Sequence, residues 1–144
     1  AVTSGDYANS AFSTANTKFS SSGGSISGSI AVTGAITATG DITAFYSDER
    51  LKTRLGNIES ALEKLLSLDG FYFEPNRTAQ DLGFPLKKEV GVSAQQVQNV
   101  LPEVVVPAPV NSEYLTVKYE KIIPLIIEAI KELRHEIENL KMPK

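Results

Sequence analysis

The clearest pattern of apolar and polar positions lies near the C-terminal end of the chain. Ile123, Ile126, Ile130, Leu133, Ile137 and Leu140 recur at spacings of three and four, which is the a/d seam of a heptad. A helix that packs only on its own chain shows a wider apolar stripe, so this seam predicts self-association. Isoleucine at the first two core positions leans toward a trimer, and leucine at the later d positions weakens that lean. In a parallel arrangement Glu136 (g) would face Lys141 (e) of a neighbour, a contribution of about 0.2–0.5 kcal/mol. Pro124 marks a kink or the true start of the straight helix, because its ring clashes with a preceding helical turn. The helical trimerisation segment is read as 116–141.

Residues 47–115 alternate between short periods of both kinds. SDERLKTRL (47–55) opens like a short helix, with Ser47 as a possible cap and Asp48 and Glu49 in the first turn, where the helix dipole favours anions. Asn57 is placed to cap a second helix, in which Ile58, Leu62, Leu65 and Leu66 recur until Asp69-Gly70 stops it. GFYFEP (70–75) reads as an aromatic strand, 76–85 as a loop, VGVS (90–93) as a strand and 94–101 as a helix closed by Pro102. Residues 104–106 read as extended, 107–114 as a turn-rich excursion, and 115–119 as a strand or a lead into the final helix. The fold class is therefore α+β.

Residues 1–46 are a different polymer. They hold 9 Ser, 7 Thr, 8 Ala and 6 Gly, no proline and three charges, whereas the other 28 charged residues and all seven prolines follow residue 46. Linkers of this composition lack a period, and this segment has one. GSIAVT (28–33), GAITAT (34–39) and GDITAF (40–45) align glycine with glycine and Ile30 with Ile36 and Ile42. A repeat of six is even, so an extended chain presents every isoleucine on one face. Such units bury their stripe by stacking on neighbours, which points to an intertwined or stacked β segment of a homo-oligomeric fibre.

The net charge of -3 and the lack of a basic tract argue against nucleic-acid binding. The absence of cysteine excludes disulfides, zinc-cysteine sites and cysteine nucleophiles. His135 is the lone histidine and falls at an outward f position, so neither a metal site nor a histidine-based triad is expected, and nothing calls for a cofactor. The run Ile122 to Ile127 is far short of the roughly 20 residues that span a bilayer. The chain also lacks the basic-then-apolar pattern of a secretory signal, so a soluble protein is expected. Carboxylates such as Glu128 and Glu132 stand beside Lys131 and read as a solvated helix face.

One nucleophile candidate remains, Ser47 with Lys52 as its base. On a continuous helix, residues five apart point about 140° away from each other. The pair works only if Ser47 sits at or before the helix cap and the lysine stem folds back. Spacing alone does not separate a nucleophile from a capping serine.

SDERLK (47–52), a leucine-rich helix, GFYFEP, GVSAQQVQNVLPEVV (91–105) and YLTVKYEKIIPLIIEAIKEL (114–133) follow one another in order. This succession resembles the C-terminal intramolecular chaperone of phage tail spikes and fibres, the endosialidase chaperone family classed as S74 peptidases. The resemblance covers residues 46–144, and GVSAQQ carries serine where relatives often have a bulkier residue. It implies a homotrimeric chaperone, 47–144, that folds the upstream fibre segment 1–46 of the same polypeptide and then cuts itself off. It also implies Ser47 as nucleophile, Lys52 as general base and Tyr46-Ser47 as the scissile bond. The fibre part would reside in the virion tail and the released chaperone in the host cytoplasm. An uncleaved trimeric cap at the fibre tip is the structural alternative. A receptor-binding tip module using the 76–89 or 107–114 loop ranks last, since neither shows an aromatic or charged cluster suited to a ligand.

Overall fold

The computed structural model describes residues 2–9, 24–32, 34–44 and 46–141, in two compact units, Ala1–Thr37 and Ala38–Lys144. In the first unit, residues 4–9 are helical (α1), a feature that the small-residue composition did not suggest. Thr3 opens this helix: its N–H and hydroxyl donate to the Asp6 carboxylate at 2.8 and 2.7 Å, and its Oγ1 accepts from the Asp6 N–H at 3.3 Å. That is the reciprocal logic of a capping box, with aspartate in the acidic position.

The described repeat residues of the glycine-isoleucine segment form no ladder, and Ile30, Ile36 and Ile42 all lie exposed. Thr33 and Phe45 of the repeat, and the stretch 10–23, fall outside the described residues. The single chain thus leaves the isoleucines of the repeat unburied.

The second unit is mixed α and β, as the alternating periods suggested. Its elements are a single 3₁₀ turn (Glu49–Leu51), α2 (Ala61–Leu66), β1 (Gly70–Phe73), α3 (Arg77–Asp81), β2 (Glu89–Val92) and α4 (Ala94–Val100). A 3₁₀ turn at Pro102–Val104 follows, then β3 (Val105–Ala108), β4 (Asn111–Val117), a 3₁₀ turn at Tyr119–Ile122 and α5 (Ile123–Lys141). Two separate antiparallel hairpins, β1-β2 and β3-β4, take the place of one continuous sheet. Their registers pair Gly70 with Val92 and Val105 with Val117, and the second shifts between Pro107 and Ala108.

Several boundaries differ from the sequence expectation, each for a local reason. Residues 76–85 contain α3, because the Asn76 side chain accepts from the Ala79 N–H at 3.0 Å and caps it. The final helix does not begin at 116: Thr116 and Val117 complete β4. Pro124 occupies the second position of α5, where a missing N–H costs nothing. Proline therefore marks the start of the helix and introduces no kink in its interior.

The core has two adjoining clusters. Val97, Val104, Val117 and Ile122 form one, and Ala61, Leu125 and Ala129 form the other; Leu68 and Leu101 pack against both. Helix α5 thus lies on α2 through Leu125 and Ala129, one turn apart on one face. The heptad positions are on a different face. Ile123, Ile126, Ile130, Leu133, Ile137 and Leu140 are between 38% and 85% exposed. At about 100° of rotation per residue, the centre of this seam lies roughly 100° around the helix from the buried stripe. The helix carries two apolar faces, and the single chain uses one of them.

Candidate active site around Ser47 and Lys52

SDERLK does not extend into the helix that its first residues suggest. It closes after one 3₁₀ turn: Leu51 N–H donates to Asp48 C=O at 3.2 Å and Lys52 N–H to Glu49 C=O at 3.0 Å. The cap is Asp48, not Ser47. Its Oδ1 accepts from the Arg50 backbone N–H at 2.9 Å. The Arg50 guanidinium grips the same carboxylate with Nε at 3.0 and 3.2 Å and Nη2 at 2.6 Å. This fork, then the backbone bond, holds the Asp48 carboxyl below its ordinary range, and raises the Arg50 guanidinium in turn. Asp48 and Arg50 therefore have a structural task, which is to lock the turn.

The turn answers the geometric condition on the Ser-Lys pair. Ser47 stands one residue before the cap, and Lys52 is the residue that ends the turn. The lysine stem folds back so that Nζ donates to the Ser47 main-chain carbonyl oxygen at 3.2 Å. Ser47 and Lys52 are thus brought together, with the amine on the carbonyl oxygen of Ser47. Tyr46, Ser47 and Lys52 all lie exposed in the single chain.

Beyond the turn, residues 52–58 run without regular structure to α2, which starts at Ala61 and not after Asn57. The position before α2 is Ser60, with φ of 51° and no side-chain cap. A capping serine normally has extended backbone, which aims its oxygen at the first amides; in the left-handed region that aim is lost. Glu132 of α5 takes over, with Oε1 accepting from Ala61 N–H at 2.9 Å and Oε2 from Leu62 N–H at 2.7 Å. The Leu62 bond and then the Ala61 bond hold the Glu132 carboxyl below its ordinary range. One turn earlier on α5, Glu128 Oε2 accepts from Asn57 Nδ2 at 3.2 Å, and Asn57 Oδ1 accepts from Arg54 Nη2 at 2.5 Å.

Glu128 and Glu132 were expected to form a solvated face, and the fold puts both to use. Their i, i+4 spacing was visible, but partners 71 residues away were not. Gln96 was also missed. It accepts from Asp69 N–H at 3.1 Å and donates to the Asp69 carboxylate at 2.8 Å, joining α4 to the start of β1. The loop at 76–89 lines an apolar groove of about 560 Å³ with Phe73, Phe84, Pro85 and Val90, and none of its lining residues belongs to the Ser47 turn. Among the described residues no group of His, Asp and Glu suited to a metal ion occurs, and no helix is long and apolar enough to cross a membrane.

Comparison with known proteins places this site at the edge of a match. Residues 47–106 match the family described as chaperone of endosialidase, Peptidase S74, and the match begins at Ser47 itself. The long tail fiber protein Gp37 of Enterobacteria phage M1 is 36% identical over 99 residues, covering 67% of this chain and 39% of that protein. Gp37 of Enterobacteria phage Ox2 gives the same figures, and Gp37 of phage K3 is 34% identical over 97 residues, 66% of this chain and 8% of that protein. The chain therefore spans two fifths or less of the length of these relatives. Residues 47–106 therefore carry the match to the chaperone of endosialidase family, within a wider likeness to long tail fibre proteins.

Proposed function

We propose that residues 47–144 are an intramolecular chaperone that trimerises through the seam of α5 and folds an upstream tail-fibre segment of the same polypeptide. It then releases itself by Ser-Lys autoproteolysis at the Tyr46-Ser47 bond. The observation that carries the proteolytic step is the folded-back Lys52, whose Nζ is held on the carbonyl of Ser47, the residue at which the family match begins. The relatives are named as long tail fibre proteins, which supports a fibre as the client and the virion tail as its destination. The released chaperone would remain in the host cytoplasm.

In this reading Lys52 takes the hydroxyl proton of Ser47, and Oγ attacks the Tyr46 carbonyl carbon within the chain or in a neighbour. The carbon-nitrogen bond breaks, the proton passes to the leaving amine of Ser47, and water hydrolyses the resulting ester to restore the hydroxyl. Juxtaposition makes the attack effectively unimolecular. A lysine becomes a base when burial or a neighbouring cation disfavours its charged form. Lys52 is exposed in one chain, so the trimer is the proposed source of that burial. Cutting would then wait for assembly, and unfolding would cease to be the reverse of folding.

The exposed position of Lys52 and its bond to a carbonyl oxygen also suit the uncleaved cap as a second reading. A denaturing gel of the expressed chain decides between them. A fragment of residues 47–144 that disappears in Ser47→Ala and in Lys52→Ala is expected, and uncut chain throughout defeats autoproteolysis.

A further inference from the structure

The strap from Lys52 to Leu62 packs Ile58, Ala61 and Leu62 in the cluster of Leu125 and Ala129 and is hydrogen-bonded to α5 through Glu128 and Glu132, which share one helix face because they are four residues apart. Glu132 bonds to main-chain N–H groups, which side-chain substitution in α2 does not remove. The left-handed Ser60 leaves those amides without a local acceptor. The same helix presents its exposed seam roughly 100° away around its axis. One rigid element therefore contacts the strap on one side and offers partner copies an apolar surface on another.

We propose that Glu132 is a positioning residue: it fixes the strap to α5, and so sets the placement of Ser47 and Lys52 relative to the trimer that α5 builds. The Asn57 contact with Glu128 is the second and weaker anchor, since it joins two side chains at 3.2 Å. Glu132 does not touch the reacting atoms. It acts through the strap, by denying the 52–58 segment the freedom that an unanchored, exposed stretch would have. This inference rests on the proteolytic reading above, and adds to it a route from assembly to cleavage.

The test uses the full chain with Glu132→Ala, Glu132→Gln and a control, Glu138→Gln, whose pair with Arg134 is exposed. Light scattering and circular dichroism first establish a temperature at which each is folded and has the parent's oligomeric state. At that temperature Glu132→Ala is expected to release the 47–144 fragment about 10- to 100-fold more slowly than the parent, the range that a misplaced reacting group produces. Glu132→Gln keeps one acceptor oxygen and is expected to fall between, and the surface control to stay within about twofold of the parent. Cutting of Glu132→Ala at the parent's rate overturns the proposal. A second measurement needs no autoproteolysis: in the Ser47→Ala background, trypsin should cut after Lys52 and Arg54 several-fold faster once Glu132→Ala is added. Equal trypsin rates overturn the anchoring, whereas a parent that never cuts itself overturns the proteolytic reading alone.

Discussion

Leu125 and Ile126 are neighbours on α5 with opposite surroundings: Leu125 is fully buried against α2, and Ile126 is 38% exposed. One side chain holds the fold of the single chain together, and the next is available to another copy. The two should respond to substitution in different measurements.

Leu125→Ala opens a cavity between α2 and α5, since nothing at the site can follow the lost atoms without moving a helix. In the Ser47→Ala background it should lower unfolding stability by about 2–4 kcal/mol, measured by urea denaturation followed by circular dichroism.

Ile130→Asp changes an exposed seam residue that belongs to neither core cluster. Helical content should survive while light scattering reports a smaller particle than the parent's expected trimer, because three carboxylates cannot share a dry core. Cutting should fall with assembly. Cutting that persists in the smaller particle would mean that the Ser-Lys pair is complete within one chain.

Lys52→Arg separates a base from a tether. Arginine can still reach and donate to the Ser47 carbonyl, but its guanidinium does not give up a proton in proteins. Release of the fragment should drop by about 10²- to 10⁴-fold, the usual contribution of a general base, with oligomeric state unchanged. Cleavage at the parent's rate would leave Lys52 only the task of closing the turn.

The Glu132 carboxyl is held below its ordinary value of 4.5 in the folded chain. A depressed carboxyl contributes stability that is present above its unfolded value and is lost as pH falls through the folded one. Asp48 is depressed as well, so the comparison must isolate Glu132. Between about pH 6 and pH 3 the parent should lose more stability than Glu132→Gln, whose side chain does not titrate. Parallel losses would show that Glu132 is not bonded to α2 in solution.

Gly91 lies where a Cβ would come 3.0 Å from the Tyr119 hydroxyl and 3.3 Å from the Phe73 ring. The Tyr119 oxygen also accepts from Val92 N–H at 3.4 Å, pinning β2 to the turn that leads into α5. Gly91→Val should therefore destabilise the fold by about 1–3 kcal/mol through overpacking, and thermal melting in the Ser47→Ala background checks it.

Periodicity by itself determined the elements that rest on short-range patterns. Pro102 as the stop of α4, the aromatic strand after Gly70 and the long final helix were all legible, because stops and apolar repeats act within a turn or two. The Ser47-Lys52 pair was legible too, through its motif. Sequence spacing could not show whether the pair met on a helix or a tighter turn; that depended on Asp48 taking the cap and Arg50 locking it. Tertiary structure also decided which apolar face of α5 belongs to its own chain, since Leu125 and the heptad positions are equally apolar on paper. It alone made Glu132 the cap of α2. A hydrogen bond across 71 residues leaves no periodic trace, because its donors are backbone amides that every residue but proline carries.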